Sequence, residues 1–189
     1  MLLADSGKVT RLPSVGTYTI DPPHTFAYFS ARHEIVGLVR GRFDKISGTV
    51  VISKDPSDCT VDVKIESASL STQNIIRDTD LKGAAFFDAE KYPIIIYHGK
   101  GIRRSGDNWI VDGSLTIRDV TKTIPLTFKF KGTSPIQTGK PKRVAFHALS
   151  APCRRDDFNM TRDDLEEIGP KSTGSDVWIE IDVEAVSSN

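Results

Sequence analysis

Beyond residue 16 the chain alternates between apolar and polar positions. Phe29, Ala31 and His33 fall on one phase and Tyr28, Ser30 and Arg32 on the other. Val61, Val63 and Ile65 alternate with Asp62, Lys64 and Glu66. The same period of two runs through Leu126, Phe128 and Phe130, and sets Val177, Ile179, Ile181 and Val183 against Trp178, Glu180, Asp182 and Glu184. Successive side chains of a strand point to opposite faces, so these runs predict antiparallel strands with one apolar and one wet side.

Turn signals separate the runs. Asp55-Pro56-Ser57-Asp58, Ser105-Gly106-Asp107-Asn108, Asp119-Val120-Thr121-Lys122 and Gly139-Lys140-Pro141 each carry residues suited to a chain reversal. Asp112-Gly113 also reads as a turn, but Trp109, Val111, Leu115 and Ile117 hold one phase across it. Gly113 is therefore a bulge or a close approach of backbone. The count is about eight long strands, the first bent at Pro22-Pro23. A sheet of that size buries its apolar face by closing on itself, which also removes its edges. The predicted fold is all-β: one antiparallel barrel over 17–189, with 1–16 as a flexible arm or a strap.

Two places break the alternation. Residues 74–83 read as a short helix: Ile75, Ile76 and Leu81 fall near helical spacing, Thr72 or Asn74 can cap it and Gly83 can end it. Residues 163–168 suggest another helical turn, ended by Gly169-Pro170. Both would cap barrel ends as lids.

The inward phase comprises Ala27, Phe29, Ala31, Val61, Val63, Ile65, Trp109, Val111, Leu115, Ile117, Leu126, Phe128, Phe146, Ala148, Ile179 and Ile181. These residues could fill a core. They could also line a lumen, and the small residues Ala27, Ala31, Ala148 and Gly113 make room for one. An eight-stranded barrel has space for packed side chains or for one small ligand.

Composition narrows the function. The chain of 189 residues is 38% hydrophobic and 26% charged, which suits one folded domain. Its 25 basic and 25 acidic residues balance, so there is no basic excess to suggest nucleic acid as a partner. No apolar run is long enough for a membrane-spanning helix, and stable membrane insertion is not expected. The start, Met1-Leu2-Leu3-Ala4-Asp5, carries too short an apolar run for a signal peptide. A cytoplasmic protein is expected from the sequence as it stands, or a periplasmic or secreted one if a leader has been trimmed. Cys59 and Cys153 define neither a disulfide framework nor a metal-ligand spacing.

Several stretches, in order, resemble the YceI family of polyisoprenoid-binding, lipocalin-like proteins. They are Tyr18-Thr19-Ile20-Asp21-Pro22 with His24; Phe29 to His33; Val39-Arg40-Gly41-Arg42-Phe43 leading to Gly48-Thr49; and Ser71-Thr72, Asn74, Arg77-Asp78 and Leu81. Then follow Phe86-Phe87-Asp88, Lys91-Tyr92-Pro93, Gly113-Ser114-Leu115-Thr116-Ile117 with Val120-Thr121-Lys122, and Arg155 with Asp157-Phe158. Two departures stand out: Asp80 where the family commonly has histidine, and Asn159 where it often has glycine. The resemblance implies a lipocalin-like barrel holding a long isoprenoid chain in a tunnel, and a homodimer. The ligand would be a polyisoprenoid, quinone-like or fatty-acyl lipid.

A charged headgroup would need donors at one end of such a tunnel. His33, Arg40, Asn74 and Arg77 are the candidates, with Arg42 beside them, since a guanidinium fork suits phosphate. Arg42 and Arg77 could equally be surface ion-pair partners of Asp44 or Asp80, and His33 a hydrogen-bonded core residue.

No catalytic residue, cofactor or metal site is predicted. His24, His33, His98 and His147 lie in no metal-binding spacing, and no nucleophile elbow or phosphate-binding glycine loop occurs. The expected function is sequestration, storage or transport of a lipid. The alternatives are a barrel enzyme acting on an apolar anionic substrate, with His33 as acid/base, and a filled-core stress-response interaction module.

Overall fold

A computed structural model describes residues 11–33, 37–135, 139–160 and 173–188. The strands in chain order are β1 (Gly16–Ile20), β2 (Phe26–His33), β3 (Gly37–Phe43), β4 (Ile46–Ile52), β5 (Thr60–Glu66) and β6 (Leu70–Ser71). After helix α1 (Ile75–Lys82) come β7 (Ile94–Ser105), β8 (Asn108–Ile117), β9 (Val120–Thr133), β10 (Arg143–Ser150), β11 (Cys153–Arg154) and β12 (Thr173–Ser187).

Every described strand pairing is antiparallel, and the strands reduce to eight walls. β1 and β2 form one strand bent at the turn Pro22–His24, where two prolines lack the N–H a ladder needs. β1 pairs with β4 and β2 with β3, so β3 and β4 form a second bent strand. β5 and β6 form a third, pairing with β4 and β3 in turn. The sheet then runs through β7, β8, β9, β10 and β12, and β12 pairs with both halves of the first strand. Tyr18 opposite Ser187 closes the barrel.

The alternation explains this closure. Ala27, Val63, Ile65, Val111, Leu115, Ile117, Leu126 and Ala148 face one continuous buried cluster, joined by Phe29, Phe128, Ile179 and Ile181 at its margin. A second cluster, with Tyr18, Ile52, Val144, Phe146 and Ala185 at its centre, fills the end where β1 begins and β12 finishes. Leu12 packs against it and Pro13 is buried, so residues 11–15 lie strapped across that end. Residues 1–10 of the expected arm lie outside the described residues.

The turns mostly fall where expected. Asp55 accepts the Ser57 N–H at 2.9 Å and starts a tight turn over Pro56–Asp58. Gly113 is the predicted close approach: a Cβ there would fall into the Tyr97 ring. The register bulge sits on β7 instead, between Gly99 and Ile102. The turn assigned to residues 119–122 lies two residues earlier, over 117–120. Val120 already pairs with Ile117, and Arg118 takes the left-handed conformation (φ 57°) that a two-residue hairpin loop requires.

The helix is also where the sequence placed it. Asn74 caps it through the Arg77 N–H at 3.0 Å, and Gly83 follows its last turn. Its apolar face is narrower than expected, however. Leu81 packs on the core, whereas Ile75 and Ile76 are 85% and 78% exposed. No helix among the described residues is long and apolar enough to cross a membrane. The helical turn expected at 163–168 lies outside the described residues.

Candidate functional site

Inside the barrel is a cavity of about 220 Å³. One water needs only ~10–15 Å³, and an apolar void of roughly 150 Å³ accepts benzene. The interior is therefore hollow on the scale of a ligand. Its walls are almost wholly hydrocarbon.

Of the residues assigned from strand phase, Ala27, Phe29, Ala31, Val63, Ile65, Val111, Leu115, Ile117, Leu126, Phe128, Phe146, Ala148 and Ile179 all line this space, with Val61 and Ile181. Trp109 does not. It shares their phase but stands at the second position of β8, beside the Ser105–Asn108 hairpin, beyond the reach of the lumen.

Sequence reasoning missed several wall residues. Phe86, Phe87, Phe158, Met160 and Arg155 close one end, while Ile52 and Cys59 stand towards the other. The signal for Phe86, Phe87 and Phe158 was present in the family-like stretches, but they lie outside the strands and strand phase assigns them no face. Ile95 and Tyr97 were hidden because Ile94-Ile95-Ile96-Tyr97 is apolar on both phases.

Tyr97 is the polar group deepest in the wall. Its hydroxyl donates to the Ile124 carbonyl at 3.0 Å, with the Val111 carbonyl at 3.4 Å. Burial pushes the phenol above its ordinary range, so it stays neutral and occupied. Cys153 is similarly quiet: burial pushes its thiol up to about 11, and its sulfur lies 3.4 Å from the Val177 carbonyl.

The lid that closes one end is stitched by polar contacts. Asp78 accepts from the Thr72 N–H at 2.7 Å and from the Thr72 hydroxyl at 2.6 Å. Arg77 donates from Nε to the Thr72 hydroxyl at 2.8 Å and from a terminal nitrogen to the Thr72 carbonyl at 3.1 Å. Ser67 donates to the Tyr92 carbonyl at 2.8 Å. Arg118 bridges the Phe86 and Asn159 carbonyls at 3.3 and 2.6 Å. Asn159 has the left-handed backbone (φ 56°) that asparagine tolerates where glycine is more usual. Gly41 belongs to the same joint, since a Cβ there would overlap Phe29 and Thr72.

Three of the four headgroup candidates, Arg40, Asn74 and Arg77, lie away from the lumen. Arg40 is exposed, opposite Ser30 on the outer face of β3. Asn74 and Arg77 are used in capping and rooting α1. For Arg40 the reason is the pleat: the alternation that turns Val39, Gly41 and Phe43 inward turns Arg40 and Arg42 outward. Arg42 meets Asp44 at 2.7 Å. His33 ends β2 opposite Gly37, and its side chain lies outside what is described.

The described histidines sit on the outer surface beside carboxylates: His24 with Asp21 (2.7 Å), His98 with Asp62 (2.5 Å) and His147 with Asp182 (2.8 Å). Asp21, His24 and Glu184 bring possible metal-ligand atoms within 4.8 Å of one another. Arg143 donates to both carboxylates, so a guanidinium already supplies the positive charge there.

A model of the YceI-like domain matches residues 18–185. Protein YceI of Salmonella newport is 32% identical over 172 residues, covering 89% of this chain and 86% of its own. Among solved structures, Burkholderia cenocepacia BcnA superposes with a TM-score of 0.74 at 20% identity, over 88% of this chain and 99% of its own. A polyisoprenoid-binding domain from Saccharophagus degradans, implicated in plant cell wall breakdown, superposes with a TM-score of 0.65 at 14% identity, over 92% of this chain and 99% of its own.

Proposed function

The chain belongs to the YceI-like family, and from that premise we propose that it binds a long apolar chain in its lumen, to sequester, store or carry it. The observation that carries this reading is the hollow interior itself: about 220 Å³ walled by hydrocarbon. A core meant only for stability would fill that space, because each missing contact forfeits dispersion energy and leaves a costly void. An apolar ligand restores those contacts. Each CH₂ group it brings out of water contributes roughly 0.8 kcal/mol, so an isoprenoid or fatty-acyl tail outweighs several kcal/mol of ordering cost.

The same observation favours binding over catalysis. Among the described residues, no histidine, aspartate or glutamate lines the cavity, and Tyr97 is held neutral by burial. The polyisoprenoid-binding description of the Saccharophagus structure makes a prenyl chain the first ligand to offer.

Gentle purification followed by native mass spectrometry tests the reading. A co-purifying lipid, or uptake of an offered prenyl chain, is expected. Its absence in both experiments would sink the proposal. Ala148→Phe should lower uptake at least tenfold while costing less than about 1 kcal/mol of stability, because the new ring enters empty space; in a filled core it would cost ~1–3 kcal/mol.

A further inference from the structure

Among the described residues lining the cavity, Arg155 is the one charged side chain. It sits at the lid end, in the turn Arg155–Phe158, and its side chain is only 11% exposed. One terminal nitrogen donates to the Met160 carbonyl, and the guanidinium carbon lies 6.0 Å from the centre of the Phe86 ring. Its Nε–H is buried and has no acceptor. Asp156 lies 3.7 Å away, beyond hydrogen-bond length, and its other oxygen receives Arg154 at 3.1 Å.

A guanidinium does not shed its proton to escape burial. A buried donor without an acceptor is costly, and more so on a charged group. Arg118 shows the contrast. It also has an unpartnered buried Nε, but it does not line the cavity, and one of its terminal nitrogens reaches two lid carbonyls as a strut. Among the described residues, Arg155 alone sets a fixed positive charge, with one donor unpartnered, in the wall of an otherwise apolar lumen.

We propose that Arg155 receives the anionic oxygen head of an amphiphile whose tail occupies the lumen. This rests on the lipid-binding reading above and narrows it to a class: chains ending in a carboxylate or a phosphate. The guanidinium fork takes either, and in this dry setting the charge-assisted bonds are stronger than at a surface.

The test compares tail-matched pairs on the full chain: oleate against oleyl alcohol, and farnesyl phosphate against farnesol, by calorimetry or displacement of a fluorescent fatty-acid probe. At least one anionic ligand should bind tenfold or more tightly than its alcohol, and the pair that does so identifies the head as carboxylate or phosphate. Arg155→Met, which keeps an unbranched apolar side chain, should erase that preference and leave alcohol affinity within about threefold. Arg155→Lys should retain part of it. Equal affinity of acid and alcohol for the unaltered protein would overturn the inference while leaving the lumen reading intact, and that comparison needs no variant to fold. A preference that survives in a folded Arg155→Met protein would overturn it too. If no chain of any head binds, the lumen reading falls and this inference with it.

Discussion

The two ends of the barrel are closed by different means. At one end, strand-borne side chains meet directly: Phe146 stacks near Phe130 and Phe128, with ring centres 5.7 and 6.2 Å away, over Tyr18, Val144 and Ala185. At the other, a helix and its following loop are laid over the opening and held by Asp78, Ser67 and Arg118 through hydrogen bonds to neighbouring backbone and Thr72. The first closure is part of the sheet and opens only when the sheet does. The second rests on a few polar contacts and on Leu81, Phe86 and Phe87 turned into the core, with Phe87 edge-on to Phe43 at 5.4 Å. Local opening free energies follow such differences in packing, so ligand traffic belongs at the lid.

The largest effect should separate the ends most clearly. Phe146→Ala should cost about 3–5 kcal/mol in urea unfolding, as large-to-small core changes do. Phe87→Ala should cost less than half of that, yet release bound lipid several times faster. Equal stability costs would break the comparison. Between the ends, Gly113→Ala should cost about 1–3 kcal/mol, because the added methyl drives Tyr97 off the backbone carbonyls and into the lumen. Uptake should fall with it; a stable variant with normal uptake would show that the ring has room elsewhere.

The smallest effect concerns the seam near the packed end. The hydrogen bond from Arg143 holds the Asp21 carboxyl below its ordinary value of 3.8. A depressed carboxylate contributes stability above its unfolded pKa and loses it as pH falls through the folded one. Asp21→Asn should therefore remove a stabilisation present at pH 7 and flatten the acid limb of unfolding below about pH 4. The effect should stay under ~1 kcal/mol, because Arg143 is partly exposed. An unchanged acid limb would assign that stability to other carboxylates.

Much of the barrel was legible in the residues, and the reason is physical. Where one face is wet and the other dry, as in Val61 to Glu66, alternation identifies both the strand and its inward side. The method fails where this contrast is missing. Ile94 and Ile96 lie on the outer face, 37% and 41% exposed, and concealed the phase that turns Tyr97 inward. It fails again outside strands: Phe86 and Arg155 reach the lumen from turns, where no period applies. The headgroup candidates illustrate a third limit. Arginine is chemically suited to phosphate anywhere; the pleat puts Arg40 outside, and a turn that no period describes puts Arg155 within.

One pairing has a consequence for how the molecule is made. The first strand finds its partners in β4 and in the last strand, with Tyr18 set against Ser187. A ribosome delivers Tyr18 long before Ser187, so the cylinder cannot close until β12 has been made. Contacts so distant along the chain are slow to form. Until they do, β1 waits with one edge unpaired, able to pair with the wrong chain. Truncating the final strand should thus leave an open, aggregation-prone sheet rather than a smaller barrel.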